Sequence, residues 1–467
     1  MHSIYSKLAG SALCLTLVLQ LQPAAAQQRR VSLNEAIQLS LSSSGKLKVA
    51  NAKVDEATAN RHEARNDRLP DVKLSGSYLR VNNPNIDLKI KTGGNEGNDN
   101  DNNGNNGSGG AAGSSVKVSQ AAYAMANVSL PLFSGFRVRY GIQSAKYLEQ
   151  AARLDAAHDR EEVIQNTIGA YSNLYKAQKT VELVRENLAH EQQRVQDFRH
   201  LEENGLIARN DLLKAQLQES NIELSLLDAE NELKMATINM SLLLGLPEGT
   251  DLAIDTAAFF TGAEGSVQGM DEPGSLAQWE FAALQHRSDK AALDLREQAA
   301  GASVKAARAA YYPGVALTGG YIAAHVPNLL TLTNAINGGI GLQYNIGALW
   351  KTGASVDAAK ARLQQLQATE GMLGDQIRLE INRAFQDYLL SMRKTDVYAK
   401  AVEQAAEHYR ITKNKYDNNL VTTTDLLDAD VAQLQARLSH AFSRADAVVA
   451  YRKLQQTAGV LATVSFQ

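Results

Sequence analysis

The sequence predicts a mostly helical exported chain with a small β part, written as two tandem copies of one unit. Three observations carry this: an internal repeat, short runs of alternating polarity, and long proline-free stretches with heptad spacing. Arg68–Tyr78 (RLPDVKLSGSY) reappears without gaps 243 residues on as Tyr311–Tyr321 (YYPGVALTGGY). Ser32-Leu33-x-Glu35 reappears at the same spacing as Ser275-Leu276-x-Gln278, and both read as capping boxes that start a helix. Farther along, Ala145-Lys146, Leu206 and Asp211 match Ala359-Lys360, Leu420 and Asp425 at a spacing of 214. An Asn/Gly tract inserted in the first copy, Gly93–Ser115, accounts for most of the difference. The copies span 27–249 and 250–467.

Taken in order, the chain opens as an export signal over 1–26. Lys7 precedes the apolar run Leu8–Leu21, and Ala24-Ala25-Ala26 before Gln27 fits signal-peptidase cleavage. The single cysteine, Cys14, falls inside this leader, and Leu13 before it is too large for a lipoprotein cleavage site. The remainder has no cysteine, so packing or oligomerisation must hold it. A formal net charge of −3 argues against nucleic acid as a partner.

Each copy then carries a strand pair, expected at 71–82 and 122–133 and again at 314–323 and 338–347. Val72, Leu74 and Tyr78 alternate with Lys73, Ser75 and Ser77; Val128, Leu130 and Leu132 alternate with Asn127 and Ser129. In the second copy Val315, Leu317 and Tyr321, then Ile340, Leu342, Tyr344 and Ile346, do the same. Alternation alone fits a half-buried soluble sheet as well as a membrane barrel. The tract 93–115 reads as a disordered extracellular loop. It contains the start of a calcium-loop pattern, Asp99-x-Asp101-x-Asn103-Gly104, but the twelfth position is Gly110 instead of an acid. Its counterpart Ala323–Gly338, between the second pair of strands, is shorter and more apolar, which fits either an ordered segment or one folded over the mouth.

Helical hairpins follow, expected at 135–245 with a turn at 204–211 and at 350–460 with a turn at 418–425. Ile377, Ile381, Ala384, Tyr388, Ser391, Thr395, Tyr398, Val402, Ala405 and Tyr409 keep a 4-3 spacing, as do Leu427, Val431, Leu434, Leu438, Ala441, Ala445 and Val448. The first copy holds the register at Leu174, Val181, Val184, Leu188, Val195 and Phe198. A second stripe beside it, Ile164, Ile168, Tyr171 and Tyr175, suits a helix with neighbours on both sides. From about Arg137 to Glu203 one helix would extend ~100 Å. Four strands cannot close a barrel, so strands placed in a membrane require an oligomer.

At this point the order of Leu69-Pro70, Leu130-Pro131-Leu132-Phe133-Ser134-Gly135-Phe136-Arg137, Ala145-Lys146 and Gly205-Leu206 before Asp211-Leu212-Leu213 resembles the TolC-like outer-membrane efflux proteins over essentially the whole mature length. The second copy varies it with Tyr312-Pro313. The resemblance implies a homotrimer with a 12-stranded β-barrel in outer-membrane lipid, continued by a periplasmic α-helical barrel. It also implies docking to a periplasmic adaptor and through it to an inner-membrane pump, in an efflux or type I secretion system. Asp425 and Asp428 would form the pore constriction. Tyr416 and Asp211 would help latch neighbouring hairpins, with Val421 standing where the family's latch arginine is expected. The turn residues Gly205, Leu206, Asn419 and Leu420 would face the adaptor. Asp211 and Asp425 also fit a plainer role, as acids at helix N-termini.

Catalytic motifs are missing from the sequence: His190-Glu191 and His62-Glu63 lack a second histidine at metalloprotease spacing, and no phosphate loop or nucleophile elbow occurs. No cofactor or metal is implied. A periplasmic coiled-coil adaptor or scaffold, and a surface structural or adhesive protein, are the competing classes. The substrate (drug, metal, siderophore or protein) is not encoded in these features.

Overall fold

The computed structural model describes residues 29–80, 82, 119–247, 249–256, 259–260, 274–327 and 330–461. The expected export signal with Cys14 and the tract Gly93–Ser115, with its calcium-like fragment, lie outside the described residues. In chain order the elements are β1 (Arg29–Val31), α1 (Leu33–Ser43), α2 (Gly45–Asn66), β2 (Asp71–Arg80), β3 (Gln120–Ser134), α3 (Arg137–Glu203), α4 (Arg209–Leu244) and β4 (Leu252–Ile254). Then come α5 (Leu276–His286), α6 (Ser288–Arg308), β5 (Gly314–Val326), β6 (Leu330–Gln343), α7 (Ala348–Asp417) and α8 (Thr423–Thr457). The repeat recurs in the backbone. Ser44 and Arg287 break the helix pairs α1/α2 and α5/α6 at matching places, each leaving the helical region (ψ 116° and 120°).

The chain divides into two compact units. One holds the antiparallel sheet, ordered β2-β3-β5-β6, so both copies contribute to it and β2 and β6 remain as edges. Its register separates the faces. Lys73, Asn127, Gly320 and Asn337 fall in one cross-strand row, and Asp71, Ser129, Thr318 and Gly339 in another. The alternate rows, between and on either side of these, place Val72, Leu74, Val128, Leu130, Leu317, Tyr321, Ile336 and Ile340 on the opposite face. That apolar face is bare: Leu74 is 83% exposed and Ile336 82%. Pro131, which has no N–H to donate, sits where the β3–β5 register shifts.

The second hairpin departs from the sequence boundaries. β5 continues to Val326 and β6 begins at Leu330, so most of the Ala323–Gly338 segment is strand, paired through Ala324–Leu332 and Val326–Leu330. At its far end β6 stops at Gln343, short of Tyr344 and Ile346. There the carbonyls of Asn345, Ile346 and Gly347 accept from the first amides of α7, so the backbone belongs to the helix start.

In the same unit Gly135 turns β3 into α3 with φ +61°; a Cβ there would lie 2.5 Å from the Ala309 carbonyl oxygen. Arg61 on α2 pairs with the buried Glu149 on α3 at 2.7 Å.

The other unit is helical apart from the parallel pair β1–β4. The Ile164, Ile168, Tyr171 and Tyr175 stripe of α3 is buried, in one core with Val31, Ile37, Leu252 and Phe259, with Met240 and Leu244 of α4, and with Ala445 and Val448 of α8. The stripe therefore shares its core with the long helices α4 and α8, and the β1–β4 clip and α1 add to them neighbours that the periodicity did not suggest. Tyr171 donates its hydroxyl to the Val31 carbonyl at 2.9 Å and so ties α3 to β1. The first seam is buried at Leu174, Val181, Val184, Leu188, Val195 and Phe198, and the α7 seam at Ile377, Ile381, Ala384 and Tyr388.

On α8 the expected seam fails at one place. Val431 is exposed while Asp430 beside it is buried, because the Asp430 carboxylate accepts from Asn187 and Arg194 of α3. Ser32 caps α1 by accepting from the Glu35 amide, while the Glu35 carboxylate turns to Arg29. Ser275 precedes α5 without a side-chain cap bond.

Candidate functional site

The two helix turns share one hydrogen-bond plan. In the first, Gly205 (φ +68°) closes α3: its amide donates to Glu202 O and that of Leu206 to Leu201 O, each at 2.8 Å. In the second, Asn419 (φ +58°) closes α7: its amide donates to Tyr416 O and that of Leu420 to Lys415 O, also at 2.8 Å. This is the left-handed helix-end motif, which glycine reaches without strain and asparagine tolerates. It thrusts Leu206 and Leu420 outward, 69% and 73% exposed.

Above the turns lies a small core of Val195, Phe198, Leu212 and Ala215, flanked by Leu201, Ile207 and Tyr416. Tyr416 stacks on Phe198 with centroids 5.7 Å apart and planes 21° apart. Its hydroxyl accepts a long bond from Thr423 at 3.5 Å, and burial raises its pKa, with the nearby Asp211 carboxylate adding to the rise. Asp211 stands in the first turn of α4, 3.7 Å from Lys214. The structure thus brings Tyr416 and Asp211 together within one chain.

The two acids of α8 differ. Asp425 completes a capping box: its Oδ2 accepts from the Thr422 amide at 2.8 Å and the Thr422 hydroxyl at 2.7 Å, while its own amide donates to Thr422 Oγ1. The hydroxyl bond, with the amide bond behind it, holds the Asp425 carboxyl below the ordinary aspartate range. Asp428 is exposed, and among the described residues nothing bonds its carboxylate. Val421 is half-buried in the turn. The first copy has Lys214 at the position of Asp428, so only the second turn presents two acids.

The described residues contain no group of three or more His, Cys, Asp or Glu able to hold a metal ion. No described helix is long and apolar enough to cross a membrane.

The family model described as "Outer membrane efflux protein" matches residues 36–246 and 281–460, taking in both copies. The chain belongs to this outer-membrane efflux family. It is a channel protein of the outer membrane that works in transport and not as an enzyme. The outer membrane efflux protein BepC of Brucella suis biovar 1 (strain 1330) is 25% identical over 340 residues, covering 70% of each chain. Among solved structures, CusC superposes with a TM-score of 0.73 at 18% identity, covering 94% of this chain and 95% of its own. VceC from Vibrio cholerae gives 0.71 at 19% identity, covering 91% and 96%. Those two likenesses carry the fold.

Sequence reasoning missed a further group. Glu191 and Arg194 on α3 and Asp430 on α8 form a buried ionic cluster with Asn187 and Tyr409. Heptad spacing treats such positions as solvated unless a charge stands where an apolar residue is due.

Proposed function

We propose that three copies of this efflux protein assemble into one exit duct, twelve strands closing as a barrel in outer-membrane lipid and the helices continuing as a periplasmic tunnel. The observation that carries this reading is the four-stranded sheet, with its unpaired β2 and β6 edges and its bare apolar face. Open edges in lipid leave several backbone groups unsatisfied, and joining β6 of one copy to β2 of the next removes every edge. Four strands per chain make twelve in a trimer, above the roughly eight that closure requires.

Helix α4 supports the same assembly. Leu212, Ala215, Ile222 and Met240 are buried within the chain, while Leu213, Leu217, Leu224 and Leu227 stay exposed along another face. A helix apolar on two faces needs a second neighbour.

In this duct Asp425 and Asp428 line the periplasmic constriction, with three copies supplying six carboxylates that attract cations and repel anions. Asp428, whose carboxylate nothing among the described residues bonds, is the freer of the two; Asp425 also holds the helix start. Tyr416 and Asp211 help latch neighbouring hairpins together, and Val421 leaves that latch without an arginine. The exposed Leu206 and Leu420, on their Gly205 and Asn419 turns, face the hairpins of a periplasmic adaptor, which links the passive duct to an inner-membrane pump.

Membrane fractionation combined with chemical cross-linking tests the assembly. A trimer in the outer-membrane fraction is expected, and a soluble periplasmic monomer would refute it.

A further inference from the structure

Ten residues above the first turn, α3 buries charge against α8. Glu191 is 0% exposed, and Arg194 and Asp430 are buried beside it. Arg194 Nη1 donates to Glu191 Oε2 at 2.7 Å, while its Nη2 reaches Asp430 Oδ2 and the Tyr409 hydroxyl, each at 3.2 Å. Asn187 donates to the same Asp430 oxygen at 3.2 Å. One guanidinium therefore serves two carboxylates, and Oε1 of Glu191 has no hydrogen-bond partner among the described residues.

With both acids ionised, the cluster holds one uncompensated negative charge out of water, and the two carboxylates compete for Arg194. A proton on Glu191 removes both problems and leaves Arg194 to Asp430. Every packed element presents a group to this site: Arg194 from α3, Glu219 from α4, Tyr409 from α7 and Asp430 from α8. His190, next along α3, is exposed. Burial pushes the Glu191 carboxyl up to about 7 against the pull of Arg194, with Asp430 and Glu219 adding to the rise.

We propose that this cluster is a proton-operated clamp: protonated Glu191 leaves Arg194 bound to Asp430 and α8 held to α3, and loss of that proton loosens α8. Asp430 lies two residues past Asp428, so the clamp acts on the helix start that carries the constriction acids. Its effect on flow rests on the duct reading; its effect on α8 does not.

Amide hydrogen exchange of the full chain in lipid nanodiscs tests the clamp. Exchange over 423–440, corrected for the chemical pH dependence, is expected to rise about tenfold between pH 6 and pH 8, midway near 7. Glu191→Gln, which keeps the shape and cannot ionise, is expected to hold the low-pH level throughout. Flat exchange in the native protein, or native pH dependence in Glu191→Gln, overturns the clamp.

Should that variant fail to fold, infrared titration of the native protein labelled with ¹³C-Glu decides instead. A protonated glutamate band surviving to near pH 7 supports the clamp, and its loss by about pH 5.5 overturns it. Bilayer conductance separates the two proposals. Switching exchange without ion conduction keeps the clamp and sinks the duct, whereas conduction with flat exchange sinks the clamp alone.

Discussion

Phe198→Ala tests how the helix turns are held. Phe198 is buried at the centre of the tip core and carries the stacked ring of Tyr416. Truncating a buried phenylalanine to alanine costs about 3–5 kcal/mol, the transfer of the ring plus the cavity it leaves. The tip core contains four buried residues and is separate from the larger core around Tyr171, so the loss falls on local opening of the turns. At about 1.4 kcal/mol per factor of ten, amide exchange across 195–216 and 409–424 should quicken by roughly two to three and a half orders of magnitude, up to the rate of unprotected amides. Exchange across 164–175 should stay as it was. The measurement is hydrogen exchange resolved by peptide. Unchanged protection at the tip, or equal acceleration around Tyr171, would refute the claim that this ring closes the turns.

Asp428→Asn should lower cation selectivity in planar bilayers without fraying α8. Asp425→Ala should lower selectivity and also speed exchange at Leu426 and Leu427, because it removes the carboxylate half of the capping box, the bonds from the Thr422 amide and hydroxyl, while the backbone amide at 425 keeps its bond to Thr422 Oγ1. The cap has a defined pH window. Its carboxyl is held below the ordinary range, so its contribution is complete at neutral pH and disappears only as pH falls through that lowered value. Tyr171→Phe deletes the buried bond to the Val31 carbonyl and should cost about 1–2 kcal/mol, read as a lower urea midpoint at unchanged slope. Gly135→Ala combines a positive φ with a Cβ 2.5 Å from a carbonyl oxygen; the expected cost exceeds about 2 kcal/mol, measured as yield of folded protein.

Much of the fold was legible because both periods are strong. Strand alternation reports which residues share a sheet face, and the in-register rows from β2 to β6 keep that separation across all four strands. The heptads of α3 and α7 report burial for the same reason. Three features were not legible. The β1–β4 pair joins three residues at one end of the described chain to three in the link between copies, a contact too short and too distant for any periodic signal. The burial of Asp430 over Val431 depends on a guanidinium from another helix. At the turns, position offered Asp425 a helix-start role beside its pore role, but the bonds to Thr422 that make it a capping carboxylate are not visible in the spacing.

The sheet also sets an order of events in folding. Only three residues separate β5 from β6 in the chain, so that hairpin closes locally and fast. β3 and β5 are about 180 residues apart, and closing so long a loop costs on the order of 4–5 kcal/mol of chain entropy before the ladder returns anything. The helices between them shorten that search as they form. The central ladder therefore closes late, after the hairpins exist, and until then each hairpin exposes two unpaired edges. This interval is when the chain is most open to mispairing with another copy, and the stability of α3 to α6 decides how long it lasts.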